Sequence, residues 1–131
     1  MEFFRILTLE TSETELQEKL VLSQLEAYST LFFPIGELHS NQVEIGGLWG
    51  EFTLVRSEIK GGLRFALKEC PNALCWTLTT GYPPKRDALI IHLTINRQQK
   101  KPDFLEEIED FLDDHQACLE EFLKKESVKI S

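Results

Sequence analysis

The sequence predicts an α+β fold: an antiparallel four-stranded meander, with room for an extra N-terminal or edge strand, carrying an N-terminal and a C-terminal helix packed on one face. Three observations predict it. Between Gly50 and Ile95 apolar residues alternate with polar ones in four successive short runs joined by hairpin-length connections, the period of strands buried on one side. Upstream, Ser12 and Glu15 precede a helically spaced apolar series. Downstream, Pro102-Asp103 precede a second one.

The elements follow in chain order. In the N-terminal arm or strand (1–10), Phe4, Ile6 and Thr8 alternate with Phe3, Arg5 and Leu7. At Ser12, the hydroxyl and the Glu15 carboxylate form the pattern of a capping box, each satisfying an orphaned amide. Leu16, Leu20, Val21, Leu25, Tyr28 and Phe32 then recur at helical spacing, with Glu13, Glu18, Lys19 and Glu26 turned to water. Pro34 lacks a donor and disfavours helical geometry at Phe33, so a helix from Ser12 should end there. Residues 35–50, rich in Gly, Ser and Asn, read as a loop in which Val43 and Ile45 could add an edge strand. Trp49 reads as a cover for the core, with an exposed anchor for a partner as the alternative.

The first strand, near Glu51 to Arg56, sends Phe52 and Leu54 to one face. After Lys60-Gly61-Gly62, the second sends Leu63, Phe65 and Leu67 the same way. Cys70-Pro71-Asn72-Ala73 has turn chemistry. Leu74, Trp76 and Leu78 mark the third strand, and Leu89, Ile91, Leu93 and Ile95 the fourth. The opposite face, with Arg64, Lys68, Thr77, Thr79, His92 and Thr94, is the more polar. Pro102-Asp103 opens the last helix, with Glu106 placed for a second capping arrangement. Its stripe runs Leu105, Ile108, Leu112, His115, Leu119 and Phe122 beside Phe104, Phe111 and Cys118. Residues 124–131 read as a fraying tail.

One domain accounts for the 131 residues. No apolar run reaches the roughly 18 residues of a membrane span, and Met1-Glu2-Phe3-Phe4-Arg5 lacks the basic start of a signal peptide. With three cysteines, an odd number that argues for free thiols, the expectation is a soluble protein of the cytosol or nucleus. The net charge of −8 is unevenly spread: residues 1–53 carry −7, residues 54–101 carry +6 and residues 102–131 carry −7. Acidic helices would flank a basic sheet. Nucleic acid is not expected as a partner, because phosphate binding needs an exposed basic surface and most of this surface should repel it.

Candidate chemistry is sparse. His39, His92 and His115 fall on a loop, a strand and a helix, without a local spacing that would put two on one face, so no metal or other cofactor is expected. His115 reads as a half-buried helix residue and His92 as a cross-strand neighbour. Cys75 and Cys118 fit small core positions. The carboxylates of the last helix read as a solvated face, and no phosphate-binding or nucleophile-elbow pattern occurs. The chain is therefore expected not to be an enzyme.

Two segments carry a family resemblance. Ser23-Gln24-Leu25-Glu26-Ala27-Tyr28-Ser29-Thr30-Leu31-Phe32-Phe33-Pro34 and Trp76-Thr77-Leu78-Thr79-Thr80-Gly81-Tyr82-Pro83-Pro84 are similar to the first helix with its aromatic-proline exit, and to the strand entering the Tyr-Pro turn, of the RWD domain. That domain is the non-catalytic relative of the ubiquitin-conjugating enzyme fold. The resemblance spans roughly residues 12–123 and marks Phe33, Pro34, Tyr82, Pro83 and Pro84 as structural-motif residues. The conjugating enzymes place a cysteine after a His-Pro-Asn segment. Here His92 is followed by Leu93 and Thr94, so the resemblance implies no thioester chemistry.

The expected function is an adaptor that binds another protein. Glu106, Asp110 and Asp113 form the candidate partner surface, which would suit a basic partner. The alternative is a small acidic homodimeric chaperone similar to bacterial secretion chaperones. A third reading is an enzyme whose site is assembled from residues distant in sequence.

Overall fold

The structure, a computed structural model, describes residues 1–81, 87–96 and 101–124, and the backbone of 125–128. Among the described residues seven strands form one antiparallel sheet: β1 (Glu2–Thr8), β2 (Phe32–Pro34), β3 (Gln42–Gly47), β4 (Phe52–Ile59), β5 (Gly62–Lys68), β6 (Cys75–Thr79) and β7 (Ala88–Thr94). Their spatial order is β1-β7-β6-β5-β4-β3-β2. The four-stranded expectation is thus an undercount. The meander is present as β4 to β7, and β1 extends it on one side while β3 and β2 extend it on the other.

The helices are α1 (Glu13–Lys19), α2 (Leu25–Tyr28) after a 3-10 turn at Leu22–Gln24, and α3 (Pro102–Val128). Ser12 caps α1 by accepting from the Glu15 N–H at 3.1 Å. The reciprocal half of the box is not formed, since Glu15 Oε1 has no hydrogen-bond partner among the described residues.

The single helix expected from Ser12 to Phe33 is broken, and the cause lies on β4. In a continuous helix the carbonyls of Gln17 and Leu20 would accept from the amides four residues on. Arg56 takes both, Nη2 to Gln17 O at 2.6 Å and Nε to Leu20 O at 2.7 Å. Val21 is extended (φ −97°, ψ 154°). The chain restarts as a short turn that Tyr28 closes by donating its hydroxyl to Val21 O at 2.9 Å.

Phe33 and Pro34 consequently lie in β2 and not at a helix exit. Phe33 pairs with Gly46 and Pro34 with Ile45. Ile35 donates to Glu44 O and Leu48 to Leu31 O, so the odd residues of this strand bond inward and the missing donor of Pro34 points off the sheet. An edge is where a sheet tolerates proline. Tyr82, Pro83 and Pro84 lie outside the described residues.

All three helices pack on one face, and the strands present it as read from the alternation. Leu54, Leu63, Phe65, Leu67, Trp76, Leu78, Leu89, Ile91 and Leu93 are buried there with Leu16, Leu20, Leu25, Ile108, Leu112 and Leu119. Phe32 stacks on Trp76 and meets Phe111 at 5.3 Å, joining strand, sheet and helix in one aromatic cluster. Trp49 covers its margin against Phe104. The β4–β5 hairpin is clamped to α1: Gly61 donates to Glu13 Oε2 at 2.8 Å, and Gln17 Nε2 donates to Ile59 O and Gly62 O. Glu13, expected to face only water, therefore also holds a turn. The Cys70–Ala73 turn closes with Ala73 N–H on Cys70 O at 3.0 Å. Among the described residues no helix is long and apolar enough to cross a membrane.

Candidate protein-interaction surface

Successive strand residues point to opposite faces, so burying one face leaves the other set on an open sheet. The registers lay it out in rows. Ile6, Ile90, Thr79, Gly62 and Ile59 form one. Phe4, His92, Thr77, Arg64 and Ser57 form the next, and Glu2, Thr94, Cys75, Ala66, Val55 and Gln42 a third. Arg64 and Lys68 stand exposed on the central strand β5, Lys68 at its end. All six residues read from the sequence as the polar face lie here. The floor between them is small or β-branched and only half-buried.

At the β1 margin this face becomes openly apolar: Phe4 is 55% exposed and Ile6 70%. Phe4 stacks on His92 with ring centroids 4.3 Å apart. The imidazole is also held by Glu2, Nε2 to Oε1 at 3.0 Å, so His92 is the cross-strand neighbour that was expected. At the other margin Phe33 and Ile35 are half exposed.

The two margins differ in their backbones. Met1 and Leu9 exchange or donate hydrogen bonds with Ile95 and Asp87, so the odd residues of β1 bond to β7. By the alternation of an antiparallel ladder, the even residues Glu2, Phe4, Ile6 and Thr8 aim both N–H and C=O off the sheet. Phe4 O accepts from Arg5 Nη1 at 3.2 Å. β1 is therefore a seven-residue edge, against three residues and a proline in β2.

The acids of α3 are divided between solvent and internal work. Glu106 and Asp110 are exposed. Asp113, the third residue of the expected partner surface, is also exposed and pairs with Arg5 at 3.4 Å, and Glu109 binds the same guanidinium. Hydrogen bonding to Glu109 raises the Arg5 pKa further. Asp114 holds the hydroxyl and N–H of Thr30, where α2 gives way to β2.

Two assignments change. Cys75 is not a core residue: it lies on the open face, Sγ 3.2 Å from Thr94 Oγ1. The parity that buries Trp76 requires this. His115 is fully buried, not half-buried. Its Nδ1 lies 3.2 Å from Tyr28 O, its ring stacks on Phe111, and burial lowers its pKa to about 4. Cys118 is half-buried, and burial raises its thiol pKa.

Two hollows flank Phe52. One, of about 200 Å³, is lined mainly by Trp49, Phe52, Leu74 and Phe104 with the Cys70 turn. The other, of about 300 Å³, carries Glu44, Glu51 and Glu69, of which Glu69 is committed to the N–H and hydroxyl of Thr53. Among the described residues no group of three or more His, Cys, Asp or Glu side chains is placed to hold a metal ion.

Sequence reasoning missed the exposure of Phe4 and Ile6. The signal was present as two large apolar residues on the half of the Phe3–Leu9 alternation opposite Leu7. No protein-family profile, curated protein or solved structure matches this chain.

Proposed function

We propose that the chain is a non-catalytic protein–protein interaction module, an adaptor of the kind the RWD resemblance implies, and that it binds through the open sheet face. The observation that carries the reading is the composition of that face: a half-buried floor of Thr, Ile, Val and Ala, with Phe4 and Ile6 exposed at one margin and Arg64 and Lys68 exposed on the central strand. Aromatic and arginine side chains are enriched where proteins bury surface against one another, and this face exposes both, as Phe4 and Arg64. The acids of α3 are weaker candidates, because a row of exposed helix carboxylates is readily solvated and two of them already neutralise Arg5. A partner with carboxylates opposite Arg64 and Lys68 fits the sheet, where the helix would favour a basic one.

Affinity capture with two charge-reversed variants tests this. Arg64→Glu with Lys68→Glu is expected to abolish binding of the captured protein, while Glu106→Lys with Asp110→Lys and Asp113→Lys leaves it. Loss with the second set alone would move binding to α3. Binding indifferent to both would remove the charged surfaces from the reading.

A further inference from the structure

We propose that this chain forms a two-fold dimer by antiparallel pairing of β1 with β1 of a second copy, with Phe4 opposite Ile6 of that copy and Arg5 on the axis. Backbone parity selects the register. Only Glu2, Phe4, Ile6 and Thr8 have donors and acceptors aimed off the sheet, so hydrogen-bonded pairs across a new ladder must join even residues to even residues. Of the two-fold registers that do so, the one centred on Arg5 matches Glu2 with Thr8 and Phe4 with Ile6, engaging the whole of Glu2–Thr8. Neighbouring registers leave residues unpaired at both ends.

The side chains agree with that choice. On the open face, Phe4 and Ile6 of both copies would form one apolar patch, covering the two most exposed large hydrophobic residues described. Aromatic and β-branched cross-strand pairs stabilise sheets. On the helix face, the two Arg5 guanidiniums would meet at the axis, and each already lies against Glu109 and Asp113 of its own α3. Two cations between two acidic helices offset the repulsion those helices would otherwise exert on each other. Arg5 Nη1 would have to release Phe4 O, a bond that the new ladder replaces.

Asymmetry of the edges makes the assembly closed. Long exposed edges pair with other chains unless blunted by proline, shortness or inward charge. β2 is blunted by Pro34 and its length, whereas β1 runs seven residues without proline and its one inward charge, Arg5, is already paired with Glu109 and Asp113. Pairing at one edge alone gives a dimer and not a fibre. The product is a continuous sheet with two open faces side by side.

Sedimentation equilibrium of the purified full chain tests the proposal without reference to any other protein, so it can fail independently of the adaptor reading. The expected species has twice the 15.1 kDa chain mass. Ile6→Lys, and Ile6→Pro, whose missing donor is one that faces away from β7, are expected to give monomers with unchanged circular dichroism. A separate register test uses Arg5→Cys, which should form a reducible symmetric cross-link that the unmodified chain, with its three native thiols, does not. Wild-type chain that is monomeric at high micromolar concentration, or a dimer that survives both Ile6 substitutions, overturns the proposal. A dimer that Arg5→Cys fails to link overturns the register.

Discussion

Arg56 Nε donates to the carbonyl of Leu20 at 2.7 Å, and Nη2 of the same guanidinium reaches Gln17 O. A cation on the middle of a strand thereby terminates the helix lying over it. The side chain is only 13% exposed, so these bonds form largely out of water, where charge-assisted hydrogen bonds are strongest.

Arg56→Met keeps the aliphatic stem and removes both bonds. The expected loss is about 3 kcal/mol of stability, the upper end for hydrogen bonds from a charged donor. Arg56→Lys can satisfy one carbonyl at a time and should recover about half. Urea unfolding measures both. A loss below about 0.5 kcal/mol would show that water replaces the guanidinium at this helix end.

The β4–β5 hairpin separates two uses of glycine. A Cβ on Gly62 would stand 1.9 Å from Leu78 O on the adjoining strand, and backbone cannot swing aside as a side chain does. Gly62→Ala is expected to cost about 3 kcal/mol or more, through forced separation of β5 from β6. Gly61 has room, its nearest neighbour being Thr79 Cβ at 3.7 Å, but φ is +89°. Gly61→Ala should cost only about 1–2 kcal/mol of backbone strain. Thermal unfolding of the two variants should rank them in that order.

These residues also show what the sequence could reveal. The β4–β7 meander was legible because Leu63, Phe65 and Leu67 repeat at period two and each connection carries its own turn residues. The stripe of α3 was legible because Ile108, Leu112, His115 and Leu119 keep helical spacing. β2 was not. Phe32 follows Tyr28 by four residues, which mimics one more helical turn, and the break upstream is imposed by Arg56, distant in sequence but adjacent in space. The outward edge of β1 was hidden for a related reason. Which residues face outward depends on the pairing with β7, and a strand's own alternation gives its faces but not its hydrogen-bonding parity. Burial of His115 likewise depends on Tyr28 and Trp76 closing over it.

His115 makes stability depend on pH. Its ring is enclosed by Phe111, Trp76 and Tyr28, with Nδ1 on Tyr28 O and Nε2 unpartnered among the described residues. Desolvation lowers its pKa to about 4, more than the Tyr28 carbonyl and nearby Asp114 raise it. In the unfolded chain the imidazole titrates near about 6.5. Between those values the unfolded state binds the proton and the folded state does not, so stability increases with pH. The contribution is complete above about pH 6.5, is lost progressively as pH falls to about 4, and changes no further below that. The gap corresponds to about 3 kcal/mol. His115→Phe fills the same space without a titrating group. Subtracting its unfolding free energy from that of the wild type at each pH should leave a sloping difference in this window and a flat one above it. A difference flat throughout would show that the imidazole reaches water in the folded state.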